Sequence, residues 1–367
     1  TRFMIDLQEF VRITIGYQGI GGVSSQRNTA ALFCVGEAQW PFATDDVVVI
    51  QIAKTNGTME ATVEGVSQPV DITNLAAKNY LQVFFDNGGV KLHLIKLTDQ
   101  PSEADIKKLP STEIMIASTG TQLETLSGLA SKFLYDEGIN EKIFVAQSAT
   151  LPESPVSVDN LALKIGPAGC QMATLAYYTR LDVYSDEIKD YSFTIENLTS
   201  LENAVITKND TMHDALANNY NCDVTLAGAT RNVGGNITNG VDLTNAFTKI
   251  VMVQTLTNRL ISLLVSKIPY TSIGISKISG AITSELQSYV ENGFLATDRI
   301  YDGNDLYYKG QLIISNGTIM PLGYKFVILP FSTLTAAERQ AHQLPDIYLV
   351  LAEGYSIRKI VITGEVF

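Results

Sequence analysis

The chain has 367 residues, enough for about two domains at roughly 100–200 residues each. Hydrophobic residues make up 46% and charged residues 17%; the charged share lies below the ~25% of an average soluble chain, so much of the surface is uncharged and suited to burial against other chains. Lys+Arg is 26 against 38 Asp+Glu, a formal net charge of −12, and the adjacent basic pairs are Lys107–Lys108 and Arg358–Lys359. Phosphate recognition needs clustered cations, so a direct nucleic-acid partner is not expected.

Residues 2–17 read as an extended segment in which Ile13 and Ile15 alternate with Arg12, Thr14 and Gly16. Gly19, Gly21, Gly22, Ser24 and Ser25 follow as a flexible link. A lone strand on a glycine tether must find a partner strand, in its own chain or in a neighbour. Strands are predicted at 30–36, 47–52 and 58–66, the last with Met59, Ala61 and Val63 on one face. Residues 75–85 read as a strand or a helix ending at the Asn87-Gly88-Gly89 turn, with a strand over 90–97.

From 113 the pattern turns to strand–helix–strand. Strands are predicted at 113–117 and 142–146 around a helix over 122–135 with Leu123, Leu126, Leu129, Ala130 and Phe133 on one face. A helix over 168–178 follows. This alternation predicts a partly parallel sheet. Residues 181–240 are rich in Asn, Thr and Asp; within them 222–227 reads as a strand and 228–240 as a loop, near which a domain boundary is placed. Helices are then predicted at 243–268, with Phe247, Ile250, Val251, Leu256, Leu260, Leu263 and Leu264 at helical spacing, and at 276–292 before Gly293. Strands follow at 308–315 and 324–329. Thr335 and Glu338 form a capping box for a short helix to 343. Strands at 347–351 and 357–362 close the chain.

Catalytic and metal-binding patterns are sparse. Cys34, Cys170 and Cys222 are widely spaced and make no disulfide or zinc pattern; Cys34, in an apolar run, reads as a buried thiol in a reducing compartment. His93, His213 and His342 form no ligand pair. Gly19-Ile20-Gly21-Gly22 lacks the third glycine of a dinucleotide fingerprint, since Ser24 stands there. Asp302-Gly303-Asn304-Asp305 reads as a polar turn, and Asp182, Asp186 and Glu187 as solvated surface. No catalytic residue, metal ligand or cofactor is therefore expected. No stretch reaches the ~20 apolar residues of a membrane span, and residues 1–10 hold no apolar signal core, so membrane insertion and signal-peptide export are not expected.

Residues 80–89, Tyr80-Leu81-Gln82-Val83-Phe84-Phe85-Asp86-Asn87-Gly88-Gly89, followed by a strand, resemble the FF-x-NGG segment of contractile tail sheath proteins of bacteriophages and R-type pyocins. The run Ala30-Ala31-Leu32-Phe33-Cys34-Val35-Gly36 resembles that family's first core strand, which ends in Val-Gly. The closing order of short helix, Pro345, strand, Ala352-Glu353-Gly354 and last strand is similar too, as is the N-terminal strand with its glycine link.

The resemblance implies a mixed α+β, α/β fold of two domains. Both termini form an inner domain (1–25 as arm and linker, 240–367 with a C-terminal arm), and residues 26–239 form an inserted outer α/β domain. It implies a subunit that polymerises as a helical or stacked-ring sheath around a tail tube. Contraction drives the tube through a bacterial envelope, with no nucleotide hydrolysis. Ile13, Ile15, Ile357, Ile360 and Ile362 would carry inter-subunit strands, and Gly19, Gly21 and Gly22 the hinge. Glu338, Arg339, Gln340 and Gln343 would face the tube, with baseplate and tail terminator proteins as further partners. The place would be a virion tail, assembled in the host cytoplasm. Two other readings stay open from the residues: another self-assembling tube or shell protein, and an α/β enzyme with an unrecognised site.

Overall fold

The computed structural model describes residues 29–110, 112–120, 123–132, 141–182 and 190–354. The first strand, β1 (Thr29–Val35), is the centre of a ten-stranded mixed sheet. It pairs in parallel with β5 (Leu92–Leu97) on one side and β6 (Glu113–Ser118) on the other. Ala30 to Cys34 are all at 0% exposure. A strand covered on both faces reads as an unbroken apolar run, which explains why no alternation marks it.

Beyond β6 the parallel order continues through β7 (Ile143–Ser148), β8 (Leu161–Ile165) and β9 (Asn221–Leu226). Antiparallel strands close both flanks: β2 (Asp46–Thr55), β3 (Thr58–Val63) and β4 (Val70–Asp71) beyond β5, and β10 (Ala229–Val233) beyond β9. In β3 the alternation holds, with Met59, Ala61 and Val63 turned to the core.

Helices cover both faces. On one, α1 (Lys78–Asp86) and α4 (Gln171–Arg180) pack over Ala30, Leu32 and Cys34. On the other, α2 (Glu103–Lys107), α3 (Leu123–Lys132) and α5 (Asn209–Ala217) share one core with Ala31 and Phe33, α3 lying over β7 and β8 and α5 over β9. The first of these cores runs on into α6 (Leu243–Val265) and α7 (Ser272–Glu291). The Tyr178 and Phe247 rings lie 4.8 Å apart, and Tyr178 Oη meets Thr244 Oγ1 at 3.0 Å. The first half of α6 is buried on almost every side, while its last turn exposes Leu264 and Val265.

The remaining described residues make three separate two-stranded antiparallel ladders. They pair β11 (Arg299–Ile300) with β14 (Ile319–Met320), β12 (Leu306–Tyr308) with β13 (Gln311–Ile314), and β15 (Tyr324–Ile328) with β16 (Ile347–Leu351). The short helix α8 (Ala336–Gln340) lies between β15 and β16 in sequence.

The structure corrects two expectations and decides a third that stood open. Residues 228–240 are not all loop, because β10 folds back on β9 through Ala227 and Gly228, both at positive φ. Residues 308–315 are not one strand but part of a hairpin that turns at Lys309 and Gly310. The apolar run after residue 75 resolves as a helix, α1.

The Asn87-Gly88-Gly89 end of α1 has a structural reason. Asn87 donates from Nδ2 to Val83 O (2.7 Å) and Asn197 O (2.9 Å), and its Oδ1 accepts from Asn197 N at 2.8 Å. Gly88 takes the positive φ that ends a helix, and a side chain on Gly89 would strike the Phe84 ring. Asn87 thus ties α1 to a loop 110 residues away. Asn87→Ala should cost about 2 kcal/mol, since it removes the three hydrogen bonds of a buried side chain; a lowered urea midpoint at unchanged slope checks this.

Candidate assembly site

Among the described residues, two clusters of buried charged groups are held within the large sheet. At one end of the large sheet, His93 on β5 sits between two carboxylates. Its Nδ1 is 2.7 Å from Glu113 Oε1, and its Nε2 meets Asp46 Oδ1. Both ring nitrogens face acceptors, so both must donate, which requires the imidazolium. Burial pulls the His93 pKa down, but the hydrogen bond to Glu113 and the charges of Glu113 and Asp46 outweigh it, even against Lys91, and raise it above 6.5. The triad joins β2, β5 and β6 across β1. Next to it, buried Lys142 donates to Pro110 O (2.6 Å) and Glu113 O (2.8 Å), and burial lowers its pKa to about 7 against the pull of Glu113.

A second cluster lies under α4. Lys164 on β8 pairs with Glu196 and with Asp223 on β9 (3.1 Å to Oδ2), and donates to Tyr191 Oη at 3.1 Å. Tyr191 in turn donates to Glu196 at 2.5 Å. One lysine balances one carboxylate. Burial and the charge of Glu196 push the Asp223 pKa well up against the pull of Lys164. The three cysteines are free and buried. Burial raises all three thiols, Cys222 to about 12, which keeps them protonated and unreactive.

Among the described residues, no group of three His, Cys, Asp or Glu side chains is placed to hold a metal ion. None of the described helices is long and apolar enough to cross a membrane. The Asp302–Asp305 stretch is a polar turn closed by Asn316, whose Nδ2 donates to Asp302 O and Gly303 O and whose N donates to Asp305 Oδ1.

Two surfaces present open strand edges or exposed side chains. The first is the β15–β16 ladder. Five residue pairs, from Tyr324↔Leu351 to Ile328↔Ile347, join the strands, and among the described residues neither strand has another partner. Two strands alone are marginal in water, and each outer edge offers free main-chain donors and acceptors. The ladder leads straight to Glu353–Gly354, where the described chain ends.

The second surface is the tip of α6–α7 with α8. Val265 is 76% exposed and Ile273 64%, and Leu264 and Tyr270 are exposed beside them. Tyr270 Oη donates to Gln343 O at 2.9 Å, and its ring contacts Phe331 and His342. The tip and α8 are therefore one continuous surface. The expected capping box is formed: Thr335 N donates to Glu338 Oε2 (2.6 Å) and Glu338 N to Thr335 Oγ1 (3.2 Å). Arg339 Nη1 donates to Leu334 O at 2.5 Å. No residue of α8 is buried, and Arg339, Gln340 and Gln343 are exposed.

Of the residues singled out from the sequence, the structure thus places Glu338, Arg339, Gln340 and Gln343 together. Ile13, Ile15, Gly19, Gly21, Gly22, Ile357, Ile360 and Ile362 lie outside the described residues. Sequence reasoning missed the Lys164 cluster. A lysine inside the apolar run Leu161-Ala162-Leu163-Lys164-Ile165 was its one signal.

Comparison with known proteins finds tail sheath proteins. The model of the family described as E217 tail sheath protein gp31-like, C-terminal domain, matches residues 243–366. The helical sheath of the anti-feeding prophage in its contracted state is similar over 97% of this chain and 99% of that chain, at TM-score 0.60 and 12% identity. Sheath tail proteins from Listeria innocua (TM-score 0.39, 10% identity, 68% of this chain and 66% of that one) and Desulfitobacterium hafniense (0.38, 9%, 69% and 67%) are more distant in structure. No curated protein matches the chain. Residues 243–366 are thus similar to a tail sheath C-terminal domain, and the fold is that of a contractile sheath protein.

The His93 triad carries a pH signature. A raised folded-state pKa gives stability that is full below 6.5 and is lost as the pH climbs through the raised value. The stability gap between the parent and His93→Gln should therefore be full below pH 6.5 and shrink as the pH rises above it. Urea titrations across that range test the sign; a constant gap would count against the imidazolium.

Proposed function

We propose that this chain, a contractile-sheath fold whose C-terminal part is similar to a tail sheath domain, is a structural subunit of a contractile tail sheath. The observation that carries the reading is the β15–β16 ladder, an apolar pair of strands with both edges open among the described residues, within the segment the family model matches. Strand addition supplies a line of main-chain hydrogen bonds, and alternate side chains fix the register. The proposed donors are the N-terminal segment with Ile13 and Ile15 and the C-terminal segment with Ile357, Ile360 and Ile362, each from a neighbouring copy. Gly19, Gly21 and Gly22 absorb the rotation between copies.

On this reading residues 1–25 and 240–367 form the inner unit and 26–239 the outer one. Two facts support the division: the ten-stranded sheet lies wholly within 29–233, and the three small ladders within 299–351. Subunits stack around a tail tube in an extended state and move to a shorter, wider one. A few kcal/mol per subunit suffice when many copies switch together. The machinery needs no catalytic group from this chain. The tube, a baseplate and a tail terminator are the proposed partners. The virion tail is the proposed location, after assembly in the cytoplasm of a bacterial host.

The α6–α7 tip with α8 is the proposed tube-facing surface. A polar helix held by its own cap and with no buried side chain can be covered before firing and released afterwards, whereas a packed apolar contact would resist release.

Electron microscopy of the purified chain at rising concentration tests the reading. Hollow cylinders of uniform diameter are expected, and a chain lacking residues 357–367 should stay a folded monomer. Cylinders formed equally well by the truncated chain would remove strand addition from the mechanism. Replacing Arg339, Gln340 and Gln343 together with glutamate should leave cylinders intact but abolish co-assembly with a tube. Unchanged tube decoration would move the contact elsewhere.

A further inference from the structure

Residues 352–354 are held from three directions. Ala352 N donates to Gly323 O (2.7 Å), Ala296 N donates to Ala352 O (2.8 Å), and Gly354 N donates to Phe294 O (2.7 Å). Leu295 and Glu353 form an antiparallel bridge. The approach is so close that a Cβ on Gly354 would lie 2.1 Å from Gly293 O.

The side chain of Glu353 reaches in a different direction, to α6. Its Oε1 lies 2.6 Å from Lys249 Nζ, and its Oε2 takes a long hydrogen bond (3.5 Å) from Asn245 Nδ2, which also donates to Gly354 O at 3.2 Å. The ion pair is mostly covered, Lys249 being 12% and Glu353 21% exposed. Lys249 also acts on Glu141, a buried carboxylate at the start of β7 that accepts from Asn160; burial pushes its pKa up to about 8 against both. The same helix turn packs Phe247 against Tyr178 of α4. Lys249 and Asn245 therefore link the last described residues of the chain to the helix that anchors on the large sheet.

A covered ion pair adds little net stability over an apolar pair of the same size, but it is directional and penalises any path that separates the charges. We infer that the Lys249–Glu353 pair, seconded by Asn245, is a positioning clamp that holds the backbone at Glu353–Gly354 against α6, and that docking of a second copy of this chain depends on this fixed point. The inference rests on the strand-addition reading. Its distinctive content is that the clamp acts on assembly and not on folding of the subunit. It also ties Glu353–Gly354 to α6, and through Phe247 to the large sheet.

The test uses the full chain and four variants: Glu353→Gln, Glu353→Lys, Lys249→Glu, and the swap carrying both reversals. Glu353→Gln keeps the side-chain shape and removes the charge. It should leave circular dichroism and the urea midpoint near the parent's but raise the concentration needed for cylinders by at least about fivefold. Each single reversal should raise it further, and the swap should recover most of the loss. Amide hydrogen exchange at Leu295, Ala296 and Gly354 should quicken in Glu353→Gln without a matching change in the large sheet. Parent-like assembly of a folded Glu353→Gln chain, or exchange unchanged at those amides, overturns the clamp. If a reversal fails to fold, Glu353→Gln alone decides. The two ideas fail separately. A parent chain that never forms cylinders, with faster exchange in Glu353→Gln, overturns strand addition and leaves the clamp a local anchor; a parent that forms them, with no effect of the variant, overturns the clamp alone.

Discussion

Main-chain donors and acceptors must find partners, and the two halves of this structure meet that demand in opposite ways. The ten-stranded sheet meets it internally. Its six parallel strands are covered by helices on both faces, and antiparallel strands finish each flank. The C-terminal ladders do not. Each has two strands among the described residues, which is below what a sheet needs to stand alone. The large sheet is thus a self-sufficient plate, whereas β15–β16 has open edges among the described residues. That asymmetry is what the proposed strand addition builds on.

The plate is also stiffened by charge. Lys164, Glu196, Asp223 and Tyr191 bind β8, β9 and the loop after residue 190 together. His93 cross-links β2, β5 and β6 across β1, and Lys142 ties the start of β7 to that of β6. Such networks are worth little in net stability, but any deformation that separates their members leaves buried charge unpaired. Bending the plate is therefore costlier than rotating it as a body. A machine that changes length by moving rigid subunits benefits from that difference, because the work goes into the linkers and new contacts.

Much of this was legible in the residues. The helical spacing of α6, the alternation of β3 and the Thr335–Glu338 box each follow one local rule, and each formed as read. The Asn87-Gly88-Gly89 turn was legible as an end of α1, though not as a bridge to Asn197, because a long-range hydrogen bond has no local signature. What was missed shares a cause. β8 carries a lysine whose partners lie in other elements, and β10 is an edge strand whose Asn, Arg and flanking glycines read as loop until β9 supplies the ladder. The hairpin at Lys309–Gly310 needs a non-glycine at positive φ, which residue preference seldom marks. The pairing of Glu353 with Lys249, more than a hundred residues apart, was equally invisible.

The low charge fraction takes on a specific meaning beside this geometry. The buried charges sit where direction matters: the His93 triad, the Lys164 cluster and the Lys249–Glu353 pair. The α6–α7 tip with α8 instead presents exposed Val265, Ile273 and Tyr270 beside Arg339, Gln340 and Gln343. Exposed ion pairs would be screened by salt and would lose strength in a crowded, ionic setting, whereas strand edges and small apolar contacts keep theirs. A lattice that must hold in one state and then shift to another is better served by many weak, unscreened contacts than by a few strong charges. The strongly directional pairs then stay inside each subunit, where they set how it presents its edges and are never broken by the movement.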